Sequence, residues 1–273
     1  MTGAALAPLT ARSATTECAK HYALGEAPEI TNIKMQTAAR ELCFIGFGVM
    51  HSGITRTPLW SAEHLTRESL AQAKGLKRVN SFHEEPRLPA GERAELRDYL
   101  RSGKDRGHQF PNGDAATPEI QFESFTLANM IPQDPDNNRN LWEGIESSVR
   151  KLAKQRGELY VITGPLFVGA TIERLNGRVM VPTNIYKVVY DPRSKQAAAY
   201  VTPNEPGMNY EVVSIAELEK QAGINFSPTC RRKLRFPKWT FPLRPFTVNR
   251  SLRGMVVLMG HTKLVRSMSQ TRP

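Results

Sequence analysis

Apolar residues are arranged along several segments in the pattern expected of sheet strands. Residues 42–50 are apolar and aromatic. The side chains of residues 57–65 alternate between the two faces that a strand would present. Four later segments of the same kind are separated by Gly, Asn or Pro turns, and they cover residues 159–167, 178–182, 186–191 and 197–202. The pattern therefore predicts strands on both sides of a helical middle region.

Helix signals occur in three places. Thr117-Pro118 suits the N-cap and first position of one helix. A longer pattern over residues 138–155 repeats apolar residues at helical spacing, and Gly157 stops it. Ser214 caps a short third helix, which ends at Gly223. These signals predict helices both between the strands and after them.

A charged stretch separates the first strands from the helical region. Residues 67–103 are punctuated by Pro and Gly, which predicts an exposed loop followed by a short helix around residues 92–101. Strands mixed irregularly with helices are typical of the α+β class. We therefore expect an α+β fold in which a central antiparallel sheet is flanked by helices.

The charge of the chain is concentrated at its C-terminal end. Of 273 residues, 37 are Lys or Arg and 26 are Asp or Glu, so the formal charge is +11. Residues 231–273 hold 11 of the basic residues and no acidic ones, which leaves 26 basic residues to balance the 26 acidic residues before them. Aromatic residues interleaved with these charges allow contact with a phosphate backbone or a membrane surface. Composition favours a third interpretation, a disordered extension that raises solubility.

Composition also predicts how the chain is divided. Residues 1–34 are expected to be a loosely held N-terminal arm, because their first 30 residues are small and polar with scattered Pro and Gly. Residues 35–230 are expected to form one domain, and residues 231–273 the basic extension. No run approaches the roughly 18 apolar residues that cross a bilayer, so no membrane span is expected.

Three cysteines leave the redox environment open. A disulfide between Cys18 and Cys43, with Cys230 left over, suits an oxidising compartment, whereas three free thiols suit a reducing one. Residues 1–11 lack the charged start and the sustained apolar stretch of a signal peptide. We nevertheless expect a periplasmic or secreted protein, whose signal peptide would precede this numbering.

The residues best suited to catalysis lie between Asp105 and Glu146. The motif Asp105-Arg106-Gly107-His108 includes a glycine, and the later Asn138, Trp142 and Glu146 are spaced by four residues. That spacing places the later three on one face of the predicted helix. Asn138 falls in its first turn, where free backbone N–H groups favour an anion such as phosphate.

Phosphodiester hydrolysis needs a base, charge neutralisation and help for the leaving oxygen. A neutral His108 can serve as the base, because the unperturbed pKa of histidine is near 6.5. One Asn138 carbonyl oxygen, completed by waters and substrate phosphate, suits Mg²⁺. Arg106 offers a planar donor fork to the same phosphate.

Each of these residues also has a plain structural interpretation. His108 beside a glycine is typical of a turn, and Asn138 at a helix start is typical of a cap. Trp142 is interpreted as a core residue. Glu146 on a helix is usually a solvated charge. Spacing alone therefore does not establish a catalytic site.

A resemblance to a known family adds to this interpretation. The chain is similar to the DNA/RNA non-specific endonucleases, a family that includes endonuclease G and has the ββα-metal fold. The likeness covers roughly residues 35–228, and its motifs, taken together, are highly specific for this family. It rests on the segments Arg56 to Trp60, Asp105 to His108, Asn129 to Gln133, Asn137 to Glu146, Val161 to Pro165, Val181 to Thr183 and Tyr186 to Val188.

The resemblance implies roles for the catalytic and metal-binding residues. His108 matches the general base, and Asn138 matches the direct Mg²⁺ ligand. Glu146 matches a carboxylate that holds a metal-bound water. Mn²⁺ is expected to substitute for Mg²⁺.

Three further residues have implied roles at the substrate. Arg106 matches the arginine that stabilises the phosphate. Asn129 matches an asparagine that supports the site geometry, although a turn residue is an alternative. Arg78 matches a substrate-binding arginine, and a solvated arginine is about as well supported. Gln109 and Phe110 depart from the Met-Ala that close relatives more often have after the base.

The resemblance implies a metal-dependent enzyme that cleaves DNA and RNA without strong sequence preference and leaves 5′-phosphate ends. Such an enzyme contacts the phosphate backbone rather than the bases. Contacts with phosphates carry no sequence information, which agrees with the lack of sequence preference. Two alternatives remain. One is a delivered toxin or effector restrained by an inhibitor protein, and the other is an inactive nucleic-acid-binding relative. The family likeness also implies a homodimer.

Overall fold

The computed structural model of the chain describes Thr16 and residues 18–226. Within this span the strands are β1 (Glu29–Ile30), β2 (Ala39–Cys43), β3 (Gly48–Ser52), β4 (Thr57–Thr66), β5 (Asp105–His108), β6 (Met130–Gln133), β7 (Glu158–Leu166), β8 (Arg174–Leu175), β9 (Val179–Met180), β10 (Asn184–Asp191), β11 (Gln196–Pro203), β12 (Glu211–Val213) and β13 (Ile224–Asn225). The α-helices are α1 (Ile33–Gln36), α2 (Arg67–Ala73), α3 (Pro118–Ser124), α4 (Glu143–Arg156) and α5 (Ile215–Ala222).

A seven-stranded sheet forms the centre of this span. Its order is β12-β11-β10-β7-β4-β3-β2, and every neighbouring pair is antiparallel. One face carries Trp60, Tyr186 and Val188 and packs against α5 and the N-terminal segment. The other face packs against α4, whose Ile145 and Val149 are buried. The predicted α+β fold with a central antiparallel sheet and flanking helices is confirmed.

The helix caps predicted from sequence are present. The Thr117 side chain accepts a hydrogen bond from the Ile120 backbone N–H at 3.3 Å. Ser214 forms a capping box at the start of α5, which ends at Gly223 in the left-handed conformation with φ of 65°. Gly157 ends α4 with φ of 100°, where a side chain would be strained.

The predicted strand over residues 42–50 is wrong. It is a hairpin, because β2 ends at Cys43 and β3 begins at Gly48. The Phe44 N–H donates to the Phe47 carbonyl at 2.9 Å across the turn. The two rings are buried and stack with their centroids 4.5 Å apart. Because this turn is apolar, its composition is the same as that of a continuous strand.

The charged stretch of residues 67–103 contains more helix at its start and less helix at its end than the sequence predicts. Thr66 and Ser69 cap each other and start α2, so residues 67–73 are helical rather than a loop. The helix predicted around residues 92–101 is only the 3₁₀ turn Leu96–Tyr99. The strand predicted over residues 178–182 likewise shortens to β9.

The described part of the N-terminal arm is packed rather than loosely held. A disulfide joins Cys18 to Cys43, and Tyr22 is buried beneath the sheet. β1 pairs with β13 near the other end of the described chain. Sequence reasoning missed this packing because the contacts are distant along the chain. Cys230 and residues 231–273 lie outside the described residues. Among those described, no helix combines the length and apolar character needed to cross a bilayer.

Candidate active site

The motif that contains His108 lies on a two-stranded ribbon formed by β5 and β6. His108 pairs with Met130 and Gly107 with Ile131 in antiparallel register. A methyl group on Gly107 would lie 2.7 Å from Gln133 Cβ, closer than real Cβ atoms approach. Glycine is therefore required at residue 107 for the two strands to meet.

The His108 ring lies in an aromatic pocket. It packs edge-on against Phe125 with ring centroids 4.9 Å apart, and Phe82 lies 5.7 Å away. Nε2 is buried and has no hydrogen-bond partner among the described residues, whereas Nδ1 is not buried in this way. Burial and, to a smaller extent, the positive charges of Arg78 and Arg106 together lower the pKa of His108 to about 3. The free imidazole is thus neutral at physiological pH.

Two guanidinium groups flank this ring. Arg106 Cζ lies 4.1 Å above the Phe82 ring, and Arg78 Cζ lies 5.2 Å from the Phe125 ring centroid. Arg78 also interacts electrostatically with Glu146. The structure therefore brings Arg78, for which the sequence leaves two interpretations open, to the same site as Arg106 and His108.

Asn129 is a fully buried support for the segment that follows His108. Its Oδ1 accepts from the Phe110 N–H and the Ser61 hydroxyl, both at 2.8 Å. Its Nδ2 donates to the carbonyls of Phe110 at 3.0 Å and Ser124 at 2.9 Å. With both atoms of its amide occupied, Asn129 holds three segments together and leaves no polar atom for substrate.

Asn138 lies in a π-helical segment, Asn137–Trp142, that leads into α4. Its Nδ2 donates to Asp105 Oδ2 at 2.9 Å, and Arg139 also binds the Asp105 carboxylate. Asn138 Oδ1 accepts no hydrogen bond from the described residues. The expected α-helical spacing from Asn138 to Trp142 is replaced by π-helical spacing, which is frequent at functional sites. Trp142 is buried, as expected of a core residue.

Asp105 is held as a carboxylate by its neighbours. Burial raises its pKa, but the hydrogen bonds from Arg139 and Asn138 outweigh burial and lower the pKa below its ordinary value. The negative charge fixes which end of the Asn138 amide points towards it, because only the amide nitrogen can donate.

Glu146 is largely buried, with 13% of its side chain exposed. Burial raises its pKa to about 7, although Lys187 and Arg150 act in the opposite direction. Arg150 Nη1 lies 3.8 Å from Glu146 Oε2 and 3.2 Å from Asp114 Oδ1. Glu146 is therefore part of a buried charge network and not the solvated helix charge considered as its alternative.

Sequence reasoning missed most of this charge network. Lys187 is 1% exposed and donates to Thr163 Oγ1 at 2.6 Å, with its Nζ 5.2 Å from the Trp142 ring. Glu63 is 4% exposed, and burial together with Asp114 raises its pKa. The sequence offered one signal of this network, which is a lysine inside the apolar strand of residues 186–191. An unpaired buried lysine is strongly disfavoured, so a lysine at such a position indicates buried acidic partners.

The donor set fits a hydrated hard cation. Among the described residues, no three His, Cys, Asp or Glu side chains converge to bind a metal ion. Asn138 Oδ1 is unoccupied by hydrogen bonds, and Glu146 supplies a carboxylate on the continuation of the same helix. Mg²⁺ prefers oxygen ligands and keeps several waters, so few protein ligands suffice.

The chain is similar in sequence to known nucleases. Nuclease C1 of Cunninghamella echinulata var. echinulata is 38% identical over 192 residues, which are 63% of this chain and 76% of that protein. The mitochondrial nuclease EXOG of Danio rerio is 34% identical over 199 residues, covering 65% of this chain and 58% of its own length. The chain thus spans less than two thirds of the zebrafish relative.

A solved structure shares the fold. It is the crystal structure of the EndoG/EndoGI complex, which describes the mechanism of EndoG inhibition, and it matches with a TM-score of 0.66 at 29% identity, over 71% of this chain and 88% of that one. This match confirms the expected ββα-metal nuclease fold.

The expected periplasmic or secreted location is wrong. Besides the zebrafish protein, matched nucleases of Schizosaccharomyces pombe and Saccharomyces cerevisiae are named as mitochondrial. These names point to mitochondria instead. The expectation had no support in residues 1–11, which lack the charged start and the sustained apolar stretch of a signal peptide.

The family profile described as DNA/RNA non-specific endonuclease matches residues 26–233, most of the chain. This match includes every residue with an expected role at the site. The chain belongs to the DNA/RNA non-specific endonuclease family.

Proposed function

We propose that this chain is a metal-dependent endonuclease that hydrolyses phosphodiester bonds of DNA and RNA with little base preference. The observation that carries the proposal is the imidazole of His108, which packs against Phe82 and Phe125, the same two rings that Arg106 and Arg78 contact. Family membership supports the nuclease activity in general, and the geometry supports these residue roles.

In the proposed mechanism, Arg106 and Arg78 bind the scissile phosphate. The negative charge of the phosphate offsets the two guanidinium charges that disfavour the imidazolium, so substrate binding raises the pKa of His108. His108 then accepts the proton of the attacking water. Nδ1 is the proposed acceptor, because Nε2 is buried and Nδ1 is not.

Asn138 and Glu146 would hold the metal ion, Asn138 through Oδ1 and Glu146 through a bound water. When bound, Mg²⁺ or its substitute Mn²⁺ stabilises negative charge on the phosphate and acidifies its waters to protonate the leaving oxygen. Asp105 keeps the Asn138 amide oriented, and Asn129 keeps the segment after His108 in place. The products carry 5′-phosphate ends.

The domain division is proposed on the same basis. Residues 35–230 are the proposed nuclease domain, and the described part of the arm of residues 1–34 packs onto it through Cys18, Tyr22 and β1. Residues 231–273 form a basic extension that contributes salt-sensitive contact with nucleic acid. The family match over residues 26–233 supports the domain's approximate extent.

We also infer two protein partners. The matched EndoG structure is a complex in which EndoGI inhibits EndoG, and the shared fold supports an inhibitor protein for this chain. The second partner is another copy of this chain. A homodimer is expected from the family likeness alone, and light scattering would test it. Neither partner is needed for the proposed chemistry.

Digestion of plasmid DNA and of RNA tests the proposed function. The full-length protein should cut both substrates with Mg²⁺ and neither with EDTA, and end-labelling should detect 5′-phosphate on the fragments. The variant Val168→Ala, an exposed position outside the site, serves as a control for handling. Equal cleavage with Mg²⁺ and with EDTA would exclude a metal-dependent mechanism.

A further inference from the structure

An aromatic pair with one exposed member, Phe122, lies beside the candidate active site and has no role in the mechanism above. Phe122 and His83 stack with ring centroids 4.5 Å apart and an interplanar angle of 7°. Phe122 is 54% exposed, although burial is usual for such a residue. One face of the Phe122 ring is thus covered by His83, and the ring remains open to solvent.

The pair is rigidly connected to the catalytic pocket. The His83 N–H donates to the Phe125 carbonyl at 3.3 Å, and the Leu127 N–H donates to the His83 carbonyl at 2.8 Å. Phe82, the residue before His83, contacts the His108 ring, as does Phe125, which lies one helical turn after Phe122. The aromatic pair is therefore held at the edge of the site.

Basic charge lies on the same surface. Lys74, Lys77 and Arg78 are exposed in the segment after α2. The Val79 N–H of this segment donates to Gln121 Oε1 at 2.8 Å, which fastens it next to Phe122. Charge beside an exposed aromatic ring is the combination by which proteins bind single-stranded nucleic acid.

Two acidic residues, Glu119 and Glu123, share the short helix α3 with Phe122. Glu123 accepts from the Ile45 backbone N–H at 2.8 Å, so its carboxylate is engaged away from the ring. Glu119 is exposed and repels phosphate. The attraction for a phosphate backbone therefore comes from Lys77 and Arg78 of the neighbouring segment.

We propose that Phe122, backed by His83, is a stacking platform for one unpaired base of a single-stranded DNA or RNA substrate. The proposal rests on the proposed nuclease function and deepens it, because a base is free to stack only where the strand is unpaired. Every base has an aromatic face, so the platform adds affinity without reading sequence. It makes unpaired strands the favoured substrate class.

Binding of two probes tests the platform. The first is a short single-stranded DNA with one 2-aminopurine, whose fluorescence is quenched by stacking, and the second has the same phosphates but abasic sites. Base stacking on an aromatic side chain contributes about 5- to 100-fold in affinity. The full-length protein, measured without metal to prevent cleavage, should bind the first probe tighter by that factor and quench it.

Two substitutions at Phe122 distinguish stacking from packing. Phe122→Leu keeps apolar contact with His83 but lacks a π face, so it should bind both probes equally and lose the quenching. Phe122→Trp should retain both properties. Val168→Ala, equally exposed at 54%, should resemble the unmodified protein. A Leu variant that still prefers and quenches the base-containing probe would overturn the proposal.

Failure of the stacking proposal can be distinguished from failure of the proposed nuclease function. Cleavage of the abasic probe with Mg²⁺ reports the chemistry alone, because that probe has phosphates but no aromatic ring to stack. Phe122→Leu should leave that rate unchanged within about twofold while losing discrimination between the two probes. No metal-dependent hydrolysis by the unmodified protein would contradict the proposed function, whereas loss of hydrolysis confined to Phe122→Leu would contradict the stacking role.

Discussion

Asn138 donates its side-chain N–H to Asp105 Oδ2 at 2.9 Å, and this bond orients the amide so that Oδ1 has no donor among the described residues. An amide oxygen fixed in this way is preorganised for a hard cation, because no rotation of the side chain is needed on binding. In the proposed mechanism, Asp105 therefore orients a metal ligand without itself binding the metal.

Removal of the orienting carboxylate should weaken metal binding. In Asp105→Ala the Asn138 amide is free to rotate, and loss of such a partner typically costs about 10- to 100-fold in metal affinity. The rate of cleavage measured against Mg²⁺ concentration should shift by that factor, with partial recovery at saturating metal. The exposed partner Arg139, changed to Gln, should shift the curve much less. An unchanged Mg²⁺ dependence in Asp105→Ala would show that the hydrogen bond is irrelevant to the metal.

The His108 ring should remain neutral across the range in which histidine ordinarily titrates. Burial and two guanidinium charges lower its pKa to about 3, so the imidazole should stay unprotonated between about pH 5 and 8. Ring nitrogen shifts measured by NMR without metal or substrate report this directly. Arg78→Met removes one opposing charge and should move the pKa upwards, towards the ordinary value of about 6.5. Titration of His108 near that value in the unmodified protein would refute the proposed electrostatics.

Asn129→Ala should reduce the free energy of unfolding. It removes four hydrogen bonds and leaves the buried groups of Phe110, Ser124 and Ser61 without partners, at a cost of about 2–4 kcal/mol. Urea unfolding should show a lower midpoint with an unchanged slope. If stability is retained and only activity is lost, Asn129 contacts substrate rather than supporting the fold.

Deletion of residues 231–273 should leave turnover largely intact. The 11 basic residues of this extension contribute contacts with phosphates, each of which adds about 0.7–0.9 to the slope of binding against salt. Affinity for DNA should therefore fall most at low salt, and the salt slope should decrease. Complete loss of cleavage by a folded truncation would place part of the active site in the extension.

Part of the fold and of the site is predictable because the information is local. Gly157 and Ser214 mark helix ends through backbone preferences that involve only their neighbours. The residues from Asp105 to His108 and from Asn137 to Glu146 form contiguous motifs, so they can be recognised before their geometry is known.

The remainder depends on contacts between distant parts of the chain. Glu63 and Lys187 come together only because β4 and β10 both pair with β7, and Asp114 joins them from a distant turn that pairs with Arg150 of α4. The exposed ring of Phe122 and its partner His83 likewise lie 39 residues apart in sequence. The hairpin at residues 44–47 has the composition of a strand because its aromatic side chains are buried by Phe110. No local pattern contains this information.

Single-turnover cleavage by His108→Ala tests the central claim most directly, because it isolates the chemical step from binding. With enzyme in excess and saturating Mg²⁺, the variant should bind DNA with unchanged affinity but cleave it about 10²- to 10⁴-fold more slowly. The same rate as the unmodified protein, within a few-fold, would contradict the assignment of His108 as the general base.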